Sequence, residues 1–462
     1  MSVPSKKQFP HKRVLVFGAA RSGVGAMALL RHHGVEVVIV DERPAMEFRS
    51  LIRRMKRLHV TWHFGEFDES VLDHCEAVVL SPGIPMEHWL NQRALNRHMP
   101  VISEVELASY FAGSPICAIT GTNGKTTTTT LVGQMLTDAG KNAVVCGNIG
   151  RAFSDGVLGS MDGTRGTVLV TEVSSFQLES IEEFHPHVGA ILNISRAHED
   201  RYPDFQDYVE AKYKLFHNME ADDHLVLNFD DPLCLRAAED TDADVWWFSM
   251  KRPVTQGAFL DKQTIYLVED GERIPVCCVK DVPIPGMHNV ENTLAALVLG
   301  RRTGASVESL VATLRKFKGV EHRIEFVGEA ANNVRFYNDS KATNLDSLEK
   351  ALLSFDKPVV LVAGGLHRSA RYERLNSLVR DRVKRLVLIG EAKDQIRRHW
   401  GALAPTVDAS SMEDAVRQAH AGAEPGDIVL LSPACASWDM FKDFEERGRA
   451  FKRHVRAVID GA

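Results

Sequence analysis

The chain has 462 residues, of which 44% are hydrophobic and 25% charged, so about three domains are expected rather than one. This composition excludes a disordered chain, a collagen-like fibre and a disulfide miniprotein. The formal net charge of −6 argues against a general nucleic-acid binder, and no apolar run approaches the roughly 18 residues of a membrane helix.

The first block alternates strand-sized apolar runs with a helix, which is the pattern of a nucleotide-binding α/β half. A strand ends just before Gly18, and a second ends at Asp41. The glycine spacing from Gly18 to Gly25 is imperfect, because Ala20 stands where a dinucleotide motif has its second glycine. Asp41 lies where such domains place an acid on a ribose hydroxyl. From the spacing, a nucleotide site and a purely structural tight turn remain equally open.

The sharpest motif in the chain is the run Gly121-Thr-Asn-Gly-Lys-Thr-Thr127, which follows an apolar strand ending at Thr120 and precedes a predicted helix. In such loops, backbone N–H groups and the helix dipole bind phosphates. Lys125 would reach the terminal phosphates, and the Thr126 hydroxyl would ligate Mg²⁺. The complete phosphate-loop motif has a glycine at position 119, where this chain has Ile119. The run therefore predicts a triphosphate site, and the alternative is a threonine-rich helix cap.

Three more polar side chains follow strands of this second block. Glu172 ends a strand, where P-loop proteins place a carboxylate that completes the Mg²⁺ shell. His198 follows the predicted strand Gly189–Ser195, at the end where α/β sheets bind ligands. Taken by itself, His198 is typical of a histidine in a surface loop. Lys212, taken by itself, is typical of a solvated lysine on a helix that starts near Tyr208.

The third block again alternates strands with helices and predicts a second Rossmann-like sheet. Its strands are expected in the runs 358–365, 385–390 and from 427 onward. The seven cysteines, an odd number without a C-x-x-C pair, indicate reduced thiols in a cytosol. We interpret the one cluster, Cys277-Cys278, as part of a strand rather than as a redox pair.

Together, in order, the motifs resemble the Mur ligase family. They are the runs 120–126, 147–150, 172–178, 198–201, 286–292, 322–323, 338–344 and 431–437. The last two separate the glutamate-adding member from its sister ligases and from folylpolyglutamate synthase. The resemblance implies an α/β protein of three domains. They are an N-terminal Rossmann-like UDP-sugar-binding domain (residues 1–104), a central P-loop ATP-binding domain (105–319) and a C-terminal Rossmann-like amino-acid-binding domain (320–462).

The resemblance also implies an activity. The expected enzyme is a cytoplasmic, monomeric ligase of peptidoglycan precursor synthesis that adds D-glutamate to UDP-N-acetylmuramoyl-L-alanine through an acyl phosphate. It would use ATP and two Mg²⁺ sites, and bind neither nucleic acid nor membrane. The residues do not fix the hand of glutamate, because one carboxylate-binding Arg or Lys serves either enantiomer. The alternatives are an L-glutamate-adding or folylpolyglutamate synthase-like sister ligase, a P-loop kinase or ATPase, and a non-catalytic nucleotide-binding regulator.

Residue roles follow from the same resemblance. The catalytic set is Lys125, Glu172, His198 and Lys212; Lys212 is expected to be carbamylated and to ligate Mg²⁺ with Thr126, Glu172 and His198. ATP binding is assigned to Gly121, Thr122, Asn123, Gly124, Lys125, Thr126, Thr127, Asn292, Arg323 and Asp339. UDP-sugar binding is assigned to Arg21, Ser22, Asp41, Arg43, Ser81, Gly83 and Asn148, and glutamate binding to Lys341, Thr343, Arg368, Ser437 and Phe444.

Two positions depart from the family pattern. Arg368 stands where the family has Lys. Arginine keeps the positive charge and can bind a carboxylate through two hydrogen bonds, but its side chain differs from lysine in reach. Ala197 stands where the family has Asp, so one acid expected beside His198 is missing.

Overall fold

The computed structural model describes residues 8–162, 164, 166–199, 201–366 and 371–461. Its strands form three sheets, of five, nine and six strands. The first two sheets lie in one compact unit, Met1–Asp281 with Glu291–Arg315, and the third lies in a second unit, Val282–Val290 with Lys316–Ala462. Within the described residues, no helix combines the length and the apolar character needed to cross a membrane.

The first sheet is wholly parallel, with strand order β3-β2-β1-β4-β5. Its elements are β1 (Arg13–Phe17), α1 (Arg21–His32), β2 (Glu36–Asp41), α2 (Arg49–Met55), β3 (Thr61–Phe64), β4 (Ala77–Leu80), α3 (Trp89–Asn96), β5 (Val101–Ser103) and α4 (Glu104–Ser109). The strand order reverses between β1 and β4, where open α/β sheets bind ligands. Gly18 follows β1 with φ +99°, and an added Cβ would lie 2.6 Å from Ser81 Oγ, so only glycine fits there.

The second sheet has nine strands in the order β14-β13-β12-β11-β10-β9-β6-β8-β7. Its strands, with the helices of this stretch of chain, are β6 (Ile116–Thr120), α5 (Lys125–Asp138), β7 (Asn142–Gly147), α6 (Phe153–Ser160), β8 (Thr167–Glu172), α7 (Ser175–Leu178), β9 (Val188–Ile191), α8 (Phe205–Tyr213), β10 (His224–Asn228), α9 (Pro232–Ala237), β11 (Asp244–Ser249), β12 (Gly257–Asp261), β13 (Thr264–Glu269), β14 (Glu272–Cys278), α10 (Met287–Arg302) and α11 (Val307–Lys316). The expected parallel alternation fails at one edge, where β12, β13 and β14 pair antiparallel. The connections there are two-residue turns with left-handed residues, too short for a helical crossover. Cys277 and Cys278 end β14, so the strand interpretation is confirmed.

Two predicted boundaries in this sheet were wrong. The strand predicted over Gly189–Ser195 ends at Ile191, because the following backbone bonds to the loop after β6 instead of extending the ladder. Asn193 O accepts from Thr122 N at 2.8 Å. The helix predicted from Tyr208 begins at Phe205, because the Asp204 side chain caps its first turn by accepting from the Gln206 backbone N–H.

The third sheet has the order β15-β16-β20-β17-β18-β19 and is parallel except for β15. This stretch contains β15 (Glu325–Glu329), β16 (Arg335–Asn338), α12 (Leu345–Leu353), β17 (Val359–Gly364), α13 (Asn376–Arg382), β18 (Val383–Ile389), α14 (Lys393–Trp400), β19 (Thr406–Asp408), α15 (Met412–Ala421), β20 (Ile428–Leu431) and α16 (Phe444–Ile459). Asn338 is paired with Leu431 where β16 and β20 end. The two motif runs 338–344 and 431–437 therefore leave the sheet side by side.

A buried carboxyl joins α4, at the end of the first sheet's segment, to α6 of the second. Glu104 is 1% exposed, and its Oε1 accepts from the Ser154 backbone N–H at 2.5 Å and from the Ser154 hydroxyl. Its Oε2 has no hydrogen-bond partner in the described structure. Burial raises the pKa of Glu104 from 4.5 to about 7, although the Ser154 bonds oppose the shift.

We expect Glu104 to make the protein less stable as pH rises from about 4.5 to about 7. In this window the unfolded chain has released the proton while the folded chain still binds it, so the free energy of unfolding falls with pH, by about 3 kcal/mol in all. Glu104→Gln removes this loss. Its melting temperature relative to the wild type should therefore be higher at pH 8 than at pH 5.

The exposed substitution Glu36→Gln controls for the simple loss of one carboxylate, since the Glu36 side chain is 68% exposed. The amide that Glu104→Gln introduces leaves one donor or acceptor without a partner at the position of Oε2, and that cost does not depend on pH. An equal difference between Glu104→Gln and wild type at both pH values would show that Glu104 ionises in the fold as freely as in the unfolded chain.

Candidate active site

The loop between β6 and α5 has the backbone of a phosphate-binding loop. Gly121 and Gly124 have φ values of +146° and +86°, a region that favours glycine. An added Cβ at Gly124 would lie 2.1 Å from Asn292 Oδ1, so Asn292 packs directly on this loop. In the first turn of α5, Thr126 and Thr127 are buried. The structure thus brings together the predicted ATP-binding residues 121–127 and Asn292.

The segment that follows β9 holds the phosphate-binding loop through hydrogen bonds. The Asn123 backbone N–H donates to Asn193 Oδ1 at 2.9 Å, and the Ser195 N–H donates to Thr122 Oγ1 at 2.9 Å. Thr122 Oγ1 also lies 3.1 Å from the Tyr208 hydroxyl. Lys125 Nζ donates to two loop carbonyls, Gly121 O at 2.8 Å and Thr122 O at 3.0 Å. The lysine ammonium is therefore folded back over the loop that its motif assigns to phosphate.

Glu172 ends β8 and is 2% exposed. Its Oε1 accepts from Asn148 Nδ2 at 3.0 Å, which connects it to the loop after β7. Its Oε2 is buried, and no described group hydrogen-bonds to it. A buried carboxylate oxygen without a partner is costly, and a cation supplies the missing partner. The arrangement fits the prediction that Glu172 holds Mg²⁺.

Lys212 is 1% exposed and points at the same loop. Its Nζ donates to Gly121 O at 3.0 Å and lies 4.6 Å from the centre of the Tyr208 ring. Burial, and then the nearby charge of Lys125, hold the pKa of Lys212 well below its usual value, although Cys234 and Glu172 act in the opposite direction. The expectation of a solvated helix lysine, drawn from Lys212 by itself, was wrong, because the tertiary fold buries this helix face. The lowered pKa favours the neutral, nucleophilic form of this amine more than at an exposed lysine.

His198 stands on an exposed loop in the left-handed region, with φ +58°. Its ring meets the Phe176 ring edge-on at 4.8 Å and lies 6.3 Å from the Tyr208 ring. His198 O accepts from the backbone N–H groups of Arg201 and Tyr202, at 2.9 Å each. The loop therefore turns tightly around His198 and places its ring near the aromatic residue that also contacts Lys212.

An acid on another segment holds the loop that carries Ala197 and His198. Ala197 packs against the hydrophobic core of the second sheet. Glu179 accepts from Arg201 Nε at 3.0 Å, from Arg201 Nη2 and from the Tyr202 hydroxyl. The Arg201 guanidinium also lies 4.5 Å from the Phe176 ring centre. Glu179 thereby anchors the loop that carries His198.

The residues predicted for the UDP-sugar lie at the carboxyl ends of the first sheet and on the loop after β7. Asp41 Oδ2 accepts from the Ala19 N–H at 2.8 Å, and Arg43 makes a two-bond ion pair with Asp41 at 2.8 and 2.9 Å. Burial raises the pKa of Asp41, but these hydrogen bonds outweigh it and leave the pKa below its usual value. Arg21 donates to Gly150 O.

The other three predicted UDP-sugar residues of the first sheet differ in exposure. Ser81 Oγ is buried and donates to Gly18 O at 3.1 Å, Ser22 is half-buried in the first turn of α1, and Gly83 is exposed with open space around it. The basic residues Arg21 and Arg43 therefore stand beside the reversal of strand order, where an anionic ligand would be bound.

A second group of predicted residues lies in the unit of the third sheet. Asp339 is 5% exposed and accepts from Ser432 Oγ at 2.9 Å and from the Ile324 N–H at 3.3 Å. Burial raises the pKa of Asp339 to about 7, while the charge of Arg323 opposes this shift. The buried Arg323 Nε has no hydrogen-bond partner in the described structure. The Arg323 charge thus acts on Asp339, as expected for two residues of one site.

The predicted glutamate residues cluster in the same unit. Lys341 Nζ lies 5.7 Å from the centre of the Phe444 ring. Ser437 is 2% exposed, whereas Thr343 is exposed and its N–H donates to Lys341 O at 2.9 Å. Arg368 lies outside the described residues. The loop after β16 therefore meets the first turn of α16 at Lys341 and Phe444.

Sequence reasoning missed three residues that organise these sites, namely Asn193, Tyr208 and Glu179. Each lies close to a recognised motif, but only tertiary contacts show its role. Asn193 offered the clearest signal, since it is a polar residue two positions after a buried strand end and faces the loop of the neighbouring strand. Tyr208 offered none, because an aromatic residue on a helix is usually part of the core.

Three family models match successive parts of the chain. A model described as the Mur ligase MurD-like N-terminal domain matches residues 12–103, one described as the Mur ligase middle domain matches 119–300, and one described as the Mur ligase glutamate ligase domain matches 322–435.

Relatives of known name match over almost the whole chain. The chain is 41% identical to the UDP-N-acetylmuramoylalanine--D-glutamate ligase of Caldanaerobacter subterraneus subsp. tengcongensis, covering 97% of this chain and 99% of that protein. It is also 41% identical to the ligase of the same name from Geotalea daltonii, covering 97% and 98%.

Solved structures share the fold at lower identity. UDP-N-acetylmuramate-alanine ligase MurC from Thermotoga maritima superposes with a TM-score of 0.60 at 18% identity, covering 97% of this chain and 100% of that one. A MurF structure from Acinetobacter baumannii superposes with a TM-score of 0.59 at 16% identity, covering 97% of this chain and 93% of that one. At these identities the likeness concerns the fold only.

Proposed function

The chain belongs to the Mur ligase family, and we propose that it adds D-glutamate to UDP-N-acetylmuramoyl-L-alanine in peptidoglycan precursor synthesis, with ATP converted to ADP and phosphate. The structural observation that carries the proposal is the buried Lys212 amine, 3.0 Å from Gly121 O of the phosphate loop and in the electrostatic range of Glu172. A simple P-loop kinase has no use for a second, buried lysine with a lowered pKa behind that loop. A ligase that brings two anions together can use it as a carbamate that holds a metal ion.

The reaction needs activation of a carboxylate. A carboxylate is a poor electrophile, because its charge repels the attacking amine and oxide is a bad leaving group. Transfer of the γ-phosphoryl group from ATP to this carboxylate forms an acyl phosphate, which has a good leaving group. The glutamate amine then attacks the acyl carbon, and the tetrahedral intermediate releases phosphate. Catalysis of the first step consists mainly of positioning and charge neutralisation.

The residues of the phosphate loop supply that positioning. The backbone N–H groups of Thr122 and Asn123 donate to Asn193, so those in the first turn of α5 would face the phosphates, where the helix dipole favours negative charge. Lys125 exchanges its two loop carbonyl acceptors for phosphate oxygens when ATP binds. Asn292, which lies against Gly124, is also assigned to ATP. Arg323 and Asp339 keep the ATP-binding roles that the family resemblance implies. His198 is the candidate base for the glutamate amine.

The donors around Glu172 fit Mg²⁺, which prefers oxygen ligands. Glu172 Oε2 lacks a described partner, and the Thr126 hydroxyl lies in the first turn of α5. In its neutral form the Lys212 amine can add CO₂ and release a proton to become a carbamate, which offers an anionic oxygen. This carbamate and His198 would hold the second Mg²⁺. When bound, the metal would offset the repulsion between the acceptor carboxylate and the γ-phosphate.

The remaining assignments extend the proposal to the whole chain. Residues 1–104 form a Rossmann-like UDP-sugar domain, 105–319 a P-loop ATP domain and 320–462 a Rossmann-like amino-acid domain. Arg21, Ser22, Asp41, Arg43, Ser81, Gly83 and Asn148 bind the UDP-sugar, and Lys341, Thr343, Arg368, Ser437 and Phe444 bind glutamate. The resemblance also leads us to expect a monomer that acts in the cytoplasm.

The test measures phosphate release with ATP, Mg²⁺ and UDP-N-acetylmuramoyl-L-alanine, adding D-glutamate or L-glutamate. We expect release that depends on the nucleotide sugar and on D-glutamate, together with a product carrying one glutamate by mass spectrometry. Release without any glutamate, or a phosphorylated product alone, would favour a kinase or ATPase. Release with L-glutamate only would favour a sister ligase.

A further inference from the structure

Arg447 carries a buried positive charge that none of the assigned functions uses. It lies on α16, one turn after Phe444, and is 1% exposed. Its guanidinium donates to Ser340 Oγ at 3.0 Å, to Ser340 O at 2.8 Å and to Cys435 O at 2.9 Å. Among the described residues, no carboxylate forms an ion pair with it. Burying a guanidinium against neutral acceptors is costly, so this arrangement calls for an explanation beyond ordinary core packing.

The partners of Arg447 belong to two segments that are far apart in the sequence. Ser340 lies in the run 338–344 after β16, and Cys435 lies in the run 431–437 after β20. The Ser340 hydroxyl also donates to Phe444 O at 2.8 Å, which connects the first run to the start of α16. One side chain therefore fastens both runs to the same helix turn.

The run after β20 needs such a restraint. Ala434 has φ +57°, a left-handed conformation that is strained for a residue with a Cβ. Cys435, which follows it, presents its carbonyl to Arg447. On the other side, an added Cβ at Gly365 would lie 3.1 Å from Arg447 Nη1 and 2.2 Å from Ala436 O. The guanidinium thus lies between the backbone of Cys435 and the backbone of Gly365.

We propose that Arg447 is a positioning residue of the amino-acid subsite, which holds the runs 338–344 and 431–437 at the spacing that glutamate binding requires. The inference rests on the proposed function. Lys341 follows Ser340 directly, Ser437 lies two residues after Cys435, and Phe444 is bonded to Ser340 through its carbonyl. Moving either run would therefore move Lys341 or Ser437 relative to Phe444.

The geometry requires arginine rather than any cation. A guanidinium presents its donors from three nitrogen atoms in a rigid plane, so it reaches acceptors on two segments at once. A lysine ammonium donates from a single atom and does not match acceptors that are spaced for three nitrogen atoms. Arg447→Lys therefore keeps the charge and removes the connection between the runs.

The first readout separates the three substrates. Phosphate release is measured while D-glutamate, ATP and the nucleotide sugar are varied in turn. In Arg447→Lys, we expect the KM for D-glutamate to rise about ten-fold or more, with the KM of the other two substrates within about two-fold of wild type. The matched control is Arg449→Lys on the same helix, since Arg449 is 58% exposed and its ion pair is with the Asp443 carboxylate, at 3.9 Å; its constants should equal those of wild type.

The second readout needs no turnover. Hydrogen–deuterium exchange of the peptides covering 338–344 and 431–437 should be faster in Arg447→Lys than in wild type and unchanged in Arg449→Lys. If Arg447→Lys does not fold, Ser340→Ala, which removes one acceptor, takes its place with the same criteria and a smaller effect.

Two results would overturn the inference: unchanged exchange in both runs, or a KM for D-glutamate that rises no more than the others. Wild-type protein that releases no phosphate with glutamate would instead contradict the proposed function, and the exchange experiment would still decide the role of Arg447.

Discussion

Replacing Lys212 with methionine is expected to lower ligase activity by about 10³-fold or more, because it removes an anionic ligand at the centre of phosphoryl transfer. Methionine is close in length to the lysine stem and fills the same buried space beside Tyr208. The fold should therefore survive, with a melting temperature close to or above that of wild type, since a buried amine is replaced by an apolar group. The measurement is D-glutamate-dependent phosphate release, compared with thermal unfolding of the same sample.

The chemical basis of this effect is the low pKa of Lys212. An exposed lysine is almost wholly protonated at neutral pH and does not react with CO₂, whereas burial and the charge of Lys125 lower the pKa of Lys212 and so favour its neutral form. Carbamate formation requires the neutral amine, so its occupancy should decrease as pH falls through the lowered pKa. Activity should decrease on the acid side in parallel.

A direct readout of the carbamate uses ¹³C-labelled bicarbonate and NMR. We expect a carbamate signal in wild type and none in Lys212→Met, whose activity added bicarbonate should not restore. The matched control is Lys141→Met, a half-buried lysine in the same unit, which should retain both the signal and the activity. Near-normal turnover of Lys212→Met, or a signal that survives this substitution, would remove the assigned role of Lys212.

Gly124→Ala is expected to lower ATP-dependent activity by about 100-fold, because the new methyl group displaces the phosphate loop or Asn292 by about an ångström. The added Cβ would lie 2.1 Å from Asn292 Oδ1 and 3.2 Å from Leu192 Cδ1, on a backbone with φ +86°. Both partners are fixed, since Leu192 is buried after β9 and Asn292 is 5% exposed on α10. The measured quantity is kcat/KM for ATP.

Gly140→Ala separates this collision from backbone strain. Gly140 has φ +81°, similar to Gly124, but an added Cβ would meet nothing within 4 Å. We expect it to lose about 1 kcal/mol of stability and to keep its activity. Equal activities for the two variants would mean that the contact between Gly124 and Asn292 has no part in ATP binding.

Local sequence was sufficient to predict most elements and the phosphate loop. The apolar run before Gly121 and the glycine spacing after it predict strand, loop and helix from backbone requirements that do not depend on distant residues. The prediction failed where neighbouring segments compete for backbone hydrogen bonds. The strand after Gly189 stopped at Ile191 because the next residues bond to the phosphate loop, and β12 to β14 turned antiparallel because their connections are short.

The sequence by itself determined which chemical groups this protein possesses, since the motif order, the basic and acidic residues at strand ends and the family resemblance are all properties of the chain. Only the tertiary structure decided their ionisation and partners. Lys212 by itself is typical of a solvated helix lysine, but the fold buries it behind the phosphate loop. Arg447 receives its acceptors from Ser340 and Cys435, on two other segments of the chain. The physical reason is that desolvation and hydrogen bonding depend on residues distant along the chain, whereas composition and spacing do not.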